Sequence, residues 1–393
     1  MVRPRGGNRG YPKQIASMPP KKIKFLFAIN HLGIGGAETM MVEQANFIDK
    51  EHFEPYILSL YRNPENNIAA RIELPEGRYV QFAFKNIYDI VSWWKLYRWM
   101  RRERFDCVLT NLFDANVIVR SLAVLVGVPC ILSYEHNIYR DKKRRQIIVD
   151  RILAKWNYRI LVGAPQVKDF VVAQEKIPAG KIEVVFDAAH LTFEHAKDDR
   201  AAVLRKMHLP EEYLCVVAAG SFTEQKGHAY LIDAWREVLE HFKGSGVKLK
   251  LIIFGRGELK EVLERRVKEY GLEDAILMPG IAPMKDIVAI SDIFSLISLW
   301  EGFSIALIQA MNAGCAIVAT KVSGSVDAIA DGVDGLLIAP KDASAAAAAF
   351  IRLIDDPALR HKLGQSAQKK SALYDIRNKI KEIEALALSG LKL

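Results

Sequence analysis

The chain has 393 residues, half of them hydrophobic and 26% charged, with a formal net charge of +9. That length and apolar fraction supply two full cores, and the positive balance favours anionic partners such as nucleotides, lipid phosphates or nucleic acid. No window reaches the ~20 apolar residues of a membrane span, and Cys107, Cys130, Cys215 and Cys315 stand far apart in apolar surroundings, so reduced, buried thiols are expected rather than disulfides or a zinc site.

Residues 1–20 are basic and rich in Gly and Pro without the apolar stretch of a signal peptide, and read as a disordered tail. From Lys21 a short apolar strand, 23–29, runs into Gly33-Ile-Gly-Gly-Ala-Glu38 and then a helical period over 39–48. Strand-like runs follow at 53–60, 107–110, 130–134, 159–162 and 182–186, with helical stretches among them. After a looser polar segment the alternation restarts with runs at 214–219, 249–254, 275–278, 293–299, 316–320 and 335–338. Such alternation predicts an α/β chain of two doubly wound parallel-sheet domains. We place the first at 21–190, a hinge at 191–207, the second at 208–371, and a helix at 372–393 returning to the first domain. Ligands of such sheets bind outside the carboxyl ends of the strands, so two domains facing across a cleft would bind there.

The most informative segment is Leu299-Trp-Glu-Gly-Phe-Ser-Ile-Ala-Leu-Ile-Gln309. Glu301 ends an apolar run over 293–300, and Gly302 leads into a helix-compatible stretch whose start favours an anion. Gln309, eight residues on, is expected two helical turns away toward the same side. A carboxylate, an anion-binding helix start and a second polar head suit a ligand with a diphosphate and sugar hydroxyls.

Four other places offer chemistry. The Gly33–Glu38 loop opens a helix, so its amides can hold a phosphate or the reacting end of a sugar, although the dinucleotide fingerprint is incomplete. Gly220-Ser-Phe-Thr-Glu-Gln-Lys226-Gly227 puts Lys226 on a loop after a strand, where a diphosphate fits, and Arg256 between Gly255 and Gly257 is a second cation candidate. His136, at the end of the 130–134 strand, can donate to a sugar hydroxyl or a phosphate. The aromatic, basic stretch 93–104 and the cluster 140–145 read either as a helix with buried tryptophans and solvated arginines or as a contact for an anionic membrane. No nucleic-acid module is present. The sequence also lacks an Asp-x-Asp pair, so no metal and no cofactor are expected at the site.

Together these motifs resemble glycosyltransferase family 4, with its GT-B architecture of two facing Rossmann-like domains. The resemblance rests on Gly35-Gly36-Ala37-Glu38, Glu135-His136-Asn137, Gly220…Lys226-Gly227, Glu301-Gly302-Phe303 and Ala310-Met-Asn-Ala-Gly314, in that order, over nearly the whole chain from Lys21. It implies a retaining, metal-independent transferase using a nucleotide sugar, a UDP-sugar above all, with a lipid-linked or surface-glycan acceptor. By the same resemblance Glu301 contacts the donor hexose, amides near Gly302, Phe303 and Ser304 hold the diphosphate, and Lys226 offsets its charge. Gln309 would contact the ribose, His136 would lie beside the transferred sugar, and the Gly35-Gly36 loop would stand near the diphosphate and acceptor.

The chain departs from the family's pattern at three points. Ser221 stands where an Arg is usual, with Arg256 as a possible substitute; Asp187-Ala188 replaces an Asn-Gly; and Gln309 replaces a Glu, leaving a neutral hydrogen bond in place of a charged one. The alternatives are a degenerate or regulatory relative with weak or no transfer, and a nucleotide-sugar epimerase on the same fold. A cytoplasmic location with peripheral contact on the inner membrane face is the expected setting.

Overall fold

The computed structural model describes residues 21–139 and 142–393. The tail expected over 1–20, and Arg140 and Asp141 of the basic cluster, lie outside the described residues. The chain divides into two compact units: the first takes the chain to 163, then 168–186 and 376–393, and the second comprises 164–167 and 187–375.

The first unit contains β1 (Ile23–Ile29), α1 (Gly36–Phe47), β2 (Phe53–Ser59), β3 (Tyr79–Gln81), α2 (Ile90–Glu103), β4 (Cys107–Asn111), α3 (Phe113–Val126), β5 (Cys130–Glu135), α4 (Arg144–Leu153), β6 (Arg159–Val162), α5 (Pro165–Glu175) and β7 (Ile182–Val184). Its strands form one sheet in the order β3-β2-β1-β4-β5-β6-β7, and every pairing is parallel. The inner strands β1, β4 and β5, buried on both faces, are near-continuous apolar runs, while the edge strands β3 and β7 are partly exposed. Along β1, Phe25, Phe27 and Ile29 join one core, while Leu26 and Ala28 join the other with Leu96 and Met100 of α2 and Ile118 and Leu122 of α3. The register sets Cys107 opposite Cys130 on neighbouring strands, so two thiols distant in sequence are adjacent in space; both are free and buried.

The second unit holds α6 (Arg200–Lys206), β8 (Leu214–Ala219), α7 (His228–His241), β9 (Leu249–Phe254), α8 (Lys260–Glu269), β10 (Ile276–Gly280), α9 (Met284–Ala289), β11 (Ile293–Leu296), α10 (Ile305–Asn312), β12 (Ala316–Thr320), α11 (Ser325–Ala328), β13 (Leu336–Ile338), α12 (Ala343–Asp355) and α13 (Pro357–Ser371). Its sheet is again parallel, in the order β10-β9-β8-β11-β12-β13. Its core gathers the fully buried Trp235 of α7 and Phe350 of α12 around Leu251, Ile253, Val216 and Val318.

Several boundaries differ from those read in the sequence, and residues 187–190 and 372–375 fall in the second unit. The segment 191–207 lies within the second unit and contains α6; the Arg200 guanidinium donates to Ile290 O and Tyr213 O and pairs with Asp292 at 3.0 Å, which ties it to that unit. The run 293–300 is strand only to Leu296, and its apolar remainder is a loop stitched to the β8 side. The last helix, α14 (Ile376–Leu391), belongs to the first unit, with Ile380, Ile383 and Ala387 in the core of β1 and β5. Gly390 makes that contact close: a Cβ there would fall 2.6 Å from Cys130 Sγ.

Candidate active site

Each sheet reverses its winding direction at one place, between β1 and β4 in the first unit and between β8 and β11 in the second. At such a switch point the connections leave in opposite directions and open a crevice at the carboxyl ends of the strands. The sequence-derived candidates gather at these two places.

In the second unit, the segment after β8 forms a 3-10 turn (Glu224–Lys226), and Gly227, with φ of +63°, leads into α7. A Cβ on Gly227 would lie 2.1 Å from Ile297 O, so both the left-handed backbone and the contact with the segment after β11 demand glycine. Leu299 N donates to Gln225 O at 2.7 Å and completes the seam. This brings Lys226 Nζ to 2.7 Å from Glu301 Oε2, with side-chain exposures of only 17% and 7%. Ser298 Oγ donates to the same Oε2 at 3.0 Å, while Oε1 receives, among the described residues, only a long contact of 3.4 Å from Gln225 Nε2. The carboxylate is therefore anchored by one oxygen and offers lone pairs on the other.

Glu301 precedes α10 by four residues, so Glu301 and Gln309 do not share a helix as the eight-residue spacing suggested. Ser304 is the N-cap, and its Oγ accepts from Leu307 N at 3.3 Å, which leaves the Ile305 and Ala306 amides as helix-start donors without an intrahelical acceptor. Gly302 and the buried Phe303 form the corner before it: Gly324, with φ of +74°, packs so closely that a Cβ would be 2.1 Å from Gly302 O. Gln309 is half-buried and, among the described residues, makes no side-chain hydrogen bond. Ser221 is exposed and shares a 3.2 Å contact with Thr223 Oγ1. The Arg256 side chain is exposed, while its carbonyl accepts from Phe222 N at 2.8 Å. Gly255 is required by packing, since a Cβ would stand 1.9 Å from Gly220 O. His228, just behind Lys226, is held neutral by burial and by the Lys226 charge, which bring its pKa down to about 4.

In the first unit, His136 follows β5 and is buried, its ring stacked on Tyr134 at 4.3 Å. His136 Nε2 lies 2.8 Å from Asn111 Oδ1 at the end of β4, and Asn111 Nδ2 donates to Ala28 O. That second bond fixes the amide's orientation, so Oδ1 is the acceptor and His136 carries its proton on Nε2. Asn111 was not among the sequence candidates; its only signal is a polar residue ending an apolar strand.

The Gly35-Gly36 turn lies after β1. Gly35 is the extended N-cap of α1, and a Cβ there would fall 2.3 Å from Glu38 Oε2, because the Glu38 side chain folds back across the turn. Burial raises the Glu38 carboxyl above the usual range.

The cluster 140–145 gains a different meaning from its described members. Lys142 is 6% exposed and reaches Glu175 at 2.6 Å, Asp150 at 2.8 Å and Glu135 at 3.6 Å. Arg120 pairs with Asp150 as well, and Asn116 Nδ2 donates to Glu135 Oε1. Burial among like charges pushes the Glu175 carboxyl up to about 7 and raises Glu135, while the three carboxylates raise the Lys142 ammonium. Lys142 thus pins the segment that follows His136 and is not part of a solvated charge run. In α2, Trp93 and Trp99 pack on the core, whereas Trp94 is exposed beside Lys95 and Arg98. Elsewhere, Asp49, Glu51 and His52 bring possible metal-ligand atoms within 4.8 Å of one another on the turn before β2, where Asp49 already holds Glu51 N and the His52 ring.

A Glycosyltransferase Family 4 model matches residues 34–189, and a Glycosyl transferases group 1 model matches residues 199–370. The chain belongs to this glycosyltransferase family. It is 24% identical over 288 residues to an Escherichia coli UDP-Gal:alpha-D-GlcNAc-diphosphoundecaprenol alpha-1,3-galactosyltransferase, covering 70% of this chain and 72% of the relative. A Campylobacter jejuni diphospho-undecaprenol 4-alpha-N-acetylgalactosaminyltransferase is 27% identical over 208 residues, 52% of this chain and 53% of its own. Among solved structures, Anabaena HepE in complex with UDP and glucose superposes with a TM-score of 0.80 at 17% identity, covering 93% of this chain and 99% of that one. The fold is thus that of the GT-B glycosyltransferases, and no helix of the described residues is long and apolar enough to cross a membrane.

Proposed function

We propose that the chain moves a hexose or N-acetylhexosamine from a nucleoside diphosphate sugar, a UDP-sugar first, to a lipid-linked or surface-glycan acceptor, with retention of configuration. The observation that carries this reading is the Lys226–Glu301 pair at the β8/β11 switch point, four residues before the start of α10. Glu301 Oε1 accepts from hydroxyls of the donor sugar. Lys226 and the amides at the start of α10, with Ser221 and Arg256 in reserve, meet the diphosphate, and Gln309 accepts from the ribose. His136 serves the transferred sugar. As the bond from C1 to the phosphate oxygen breaks, the acceptor oxygen bonds to C1 on the same face and its proton passes to the departing phosphate. Such a step needs positioning and charge stabilisation, which cations and helix-start amides supply, and neither a protein nucleophile nor a metal is invoked.

The relatives' names support the donor and acceptor classes, since one uses UDP-Gal and both act on diphosphoundecaprenol-linked sugars. A panel of nucleotide sugars with a short-chain prenyl diphosphate N-acetylglucosamine as probe tests the reaction. Transfer with at least one donor, unaffected by a chelator and abolished in Glu301→Ala with the fold intact, is the expected result. No transfer and no hydrolysis across the panel overturns it. Product formed without any acceptor points to an epimerase.

A peripheral cytoplasmic membrane setting belongs to the same proposal. On α2 the exposed Ile90, Val91 and Trp94 adjoin Lys95, Arg98, Arg101 and Arg102; on α4 the exposed Ile148 and Ile152 adjoin Arg144, Arg145 and Arg151. Basic side chains with apolar neighbours suit anionic headgroups. Co-sedimentation with phosphatidylglycerol vesicles at low salt, lost with Trp94→Ala/Ile90→Ser, is expected; equal recovery with phosphatidylcholine vesicles alone would contradict it.

A further inference from the structure

Glu38 is a largely buried carboxylate that the reaction above does not use. It sits in the first turn of α1, directly after the Gly35-Gly36 turn and at the β1/β4 switch point. Its side chain is 13% exposed, and no other described residue donates a hydrogen bond to it. The nearest cationic candidate, His31 Nδ1, is 3.8 Å away and is already the acceptor of Gly33 N–H at 3.1 Å, so it carries no proton to give. His136 is close enough to act on the Glu38 charge. An ionised carboxylate can only accept, and burying one whose sole donor among the described residues is its own backbone amide is costly, so the geometry suits a ligand that brings further donors.

The same carboxylate decides between the two ligands that the Gly35-Gly36 turn can suit. Folded over Gly35, it sets a negative charge at the start of α1 and offsets the positive end of the helix dipole. A phosphate there would meet a like charge, whereas a sugar hydroxyl would meet an acceptor.

We infer that Glu38 binds a hydroxyl of the acceptor sugar and sets the enzyme's acceptor preference; this rests on glycosyl transfer being the chain's reaction. Losing a charged hydrogen bond to a hydroxyl corresponds to about 10- to 100-fold. The test uses the full chain with its best donor and the prenyl diphosphate N-acetylglucosamine probe, comparing wild type with Glu38→Gln and Glu38→Asp. The acceptor KM is expected to rise about tenfold or more in Glu38→Gln, with the donor KM within about twofold and the melting temperature unchanged, and Glu38→Asp should recover part of the loss. An acceptor KM equal to wild type, or a donor KM that rises as much, overturns the assignment. An active wild type with an indifferent Glu38→Gln removes only the role of Glu38. A wild type inactive with every donor removes the reaction and this inference together.

Discussion

The two switch points have the same topology and opposite electrostatics. At β8/β11 a lysine and a carboxylate neutralise each other at 2.7 Å, with helix-start amides following. At β1/β4 a histidine is held by an asparagine, and a largely buried carboxylate has no donor among the described residues beyond its own backbone amide. The first arrangement suits a ligand that is partly anion and partly polyol, because Lys226 can turn to phosphate while Glu301 turns to hydroxyls. The second suits a polyol without phosphate. Parallel sheets provide the crevice, and the residues placed at its rim decide the ligand.

The comparison is most severely broken below the first site. Lys142→Met strips the ammonium from Glu135, Asp150 and Glu175, and breaking a buried pair costs about 3–5 kcal/mol. A clear drop in unfolding midpoint by denaturant titration is expected, while Arg101→Ala, on the exposed face of α2, should change it by less than about 0.5 kcal/mol.

Next in size is the second site itself. Glu301→Gln keeps the shape but removes the charge, and turnover should fall by roughly 100-fold, the scale of one or two charged hydrogen bonds. Near-wild-type turnover in steady-state assays would remove Glu301 from the role given to it.

Asn111→Ala tests the first site more gently. Without its acceptor His136 loses its fixed tautomer, and kcat/KM should drop about tenfold with the fold retained, as read by circular dichroism and steady-state kinetics.

The smallest effects come from titration and from the ribose position. Glu175 has a folded-state pKa raised to about 7, above its unfolded value, so its contribution to stability is fully present below the unfolded pKa and is lost as pH rises toward 7 and beyond. Glu175→Gln should therefore match wild type in unfolding free energy near pH 4.5 and exceed it above pH 7, by on the order of 1–3 kcal/mol, as read by denaturant titration at the two pH values. Gln309→Glu, which restores a charged acceptor, should tighten donor binding by a few-fold, about 1 kcal/mol.

How much of this the sequence carried depended on the range of the interactions. β8, β9 and β12 begin and end where their apolar runs do, because strands buried on both faces leave little room for polar residues. β3 leaves no signal in the sequence because it is three partly exposed residues at the sheet edge. The apolar run outlasts β11 because Ile297 is buried in a loop that packs against Gly227. Among the site residues, the sequence marks Lys226 and Glu301 separately, and only the fold reveals that they touch. Lys142 was hidden in a run of cations, since its three carboxylates come from β5, α4 and α5. Glu38 stood in a quoted motif with no role until its side chain was seen folded over Gly35.

The most direct test of the central claim is calorimetric titration of UDP and of the preferred UDP-sugar into wild type, Lys226→Met and Glu301→Gln. The account predicts that Lys226→Met weakens both ligands about tenfold or more, and that Glu301→Gln leaves UDP bound while erasing the added affinity for the sugar. Equal affinities for both ligands in all three proteins would contradict it.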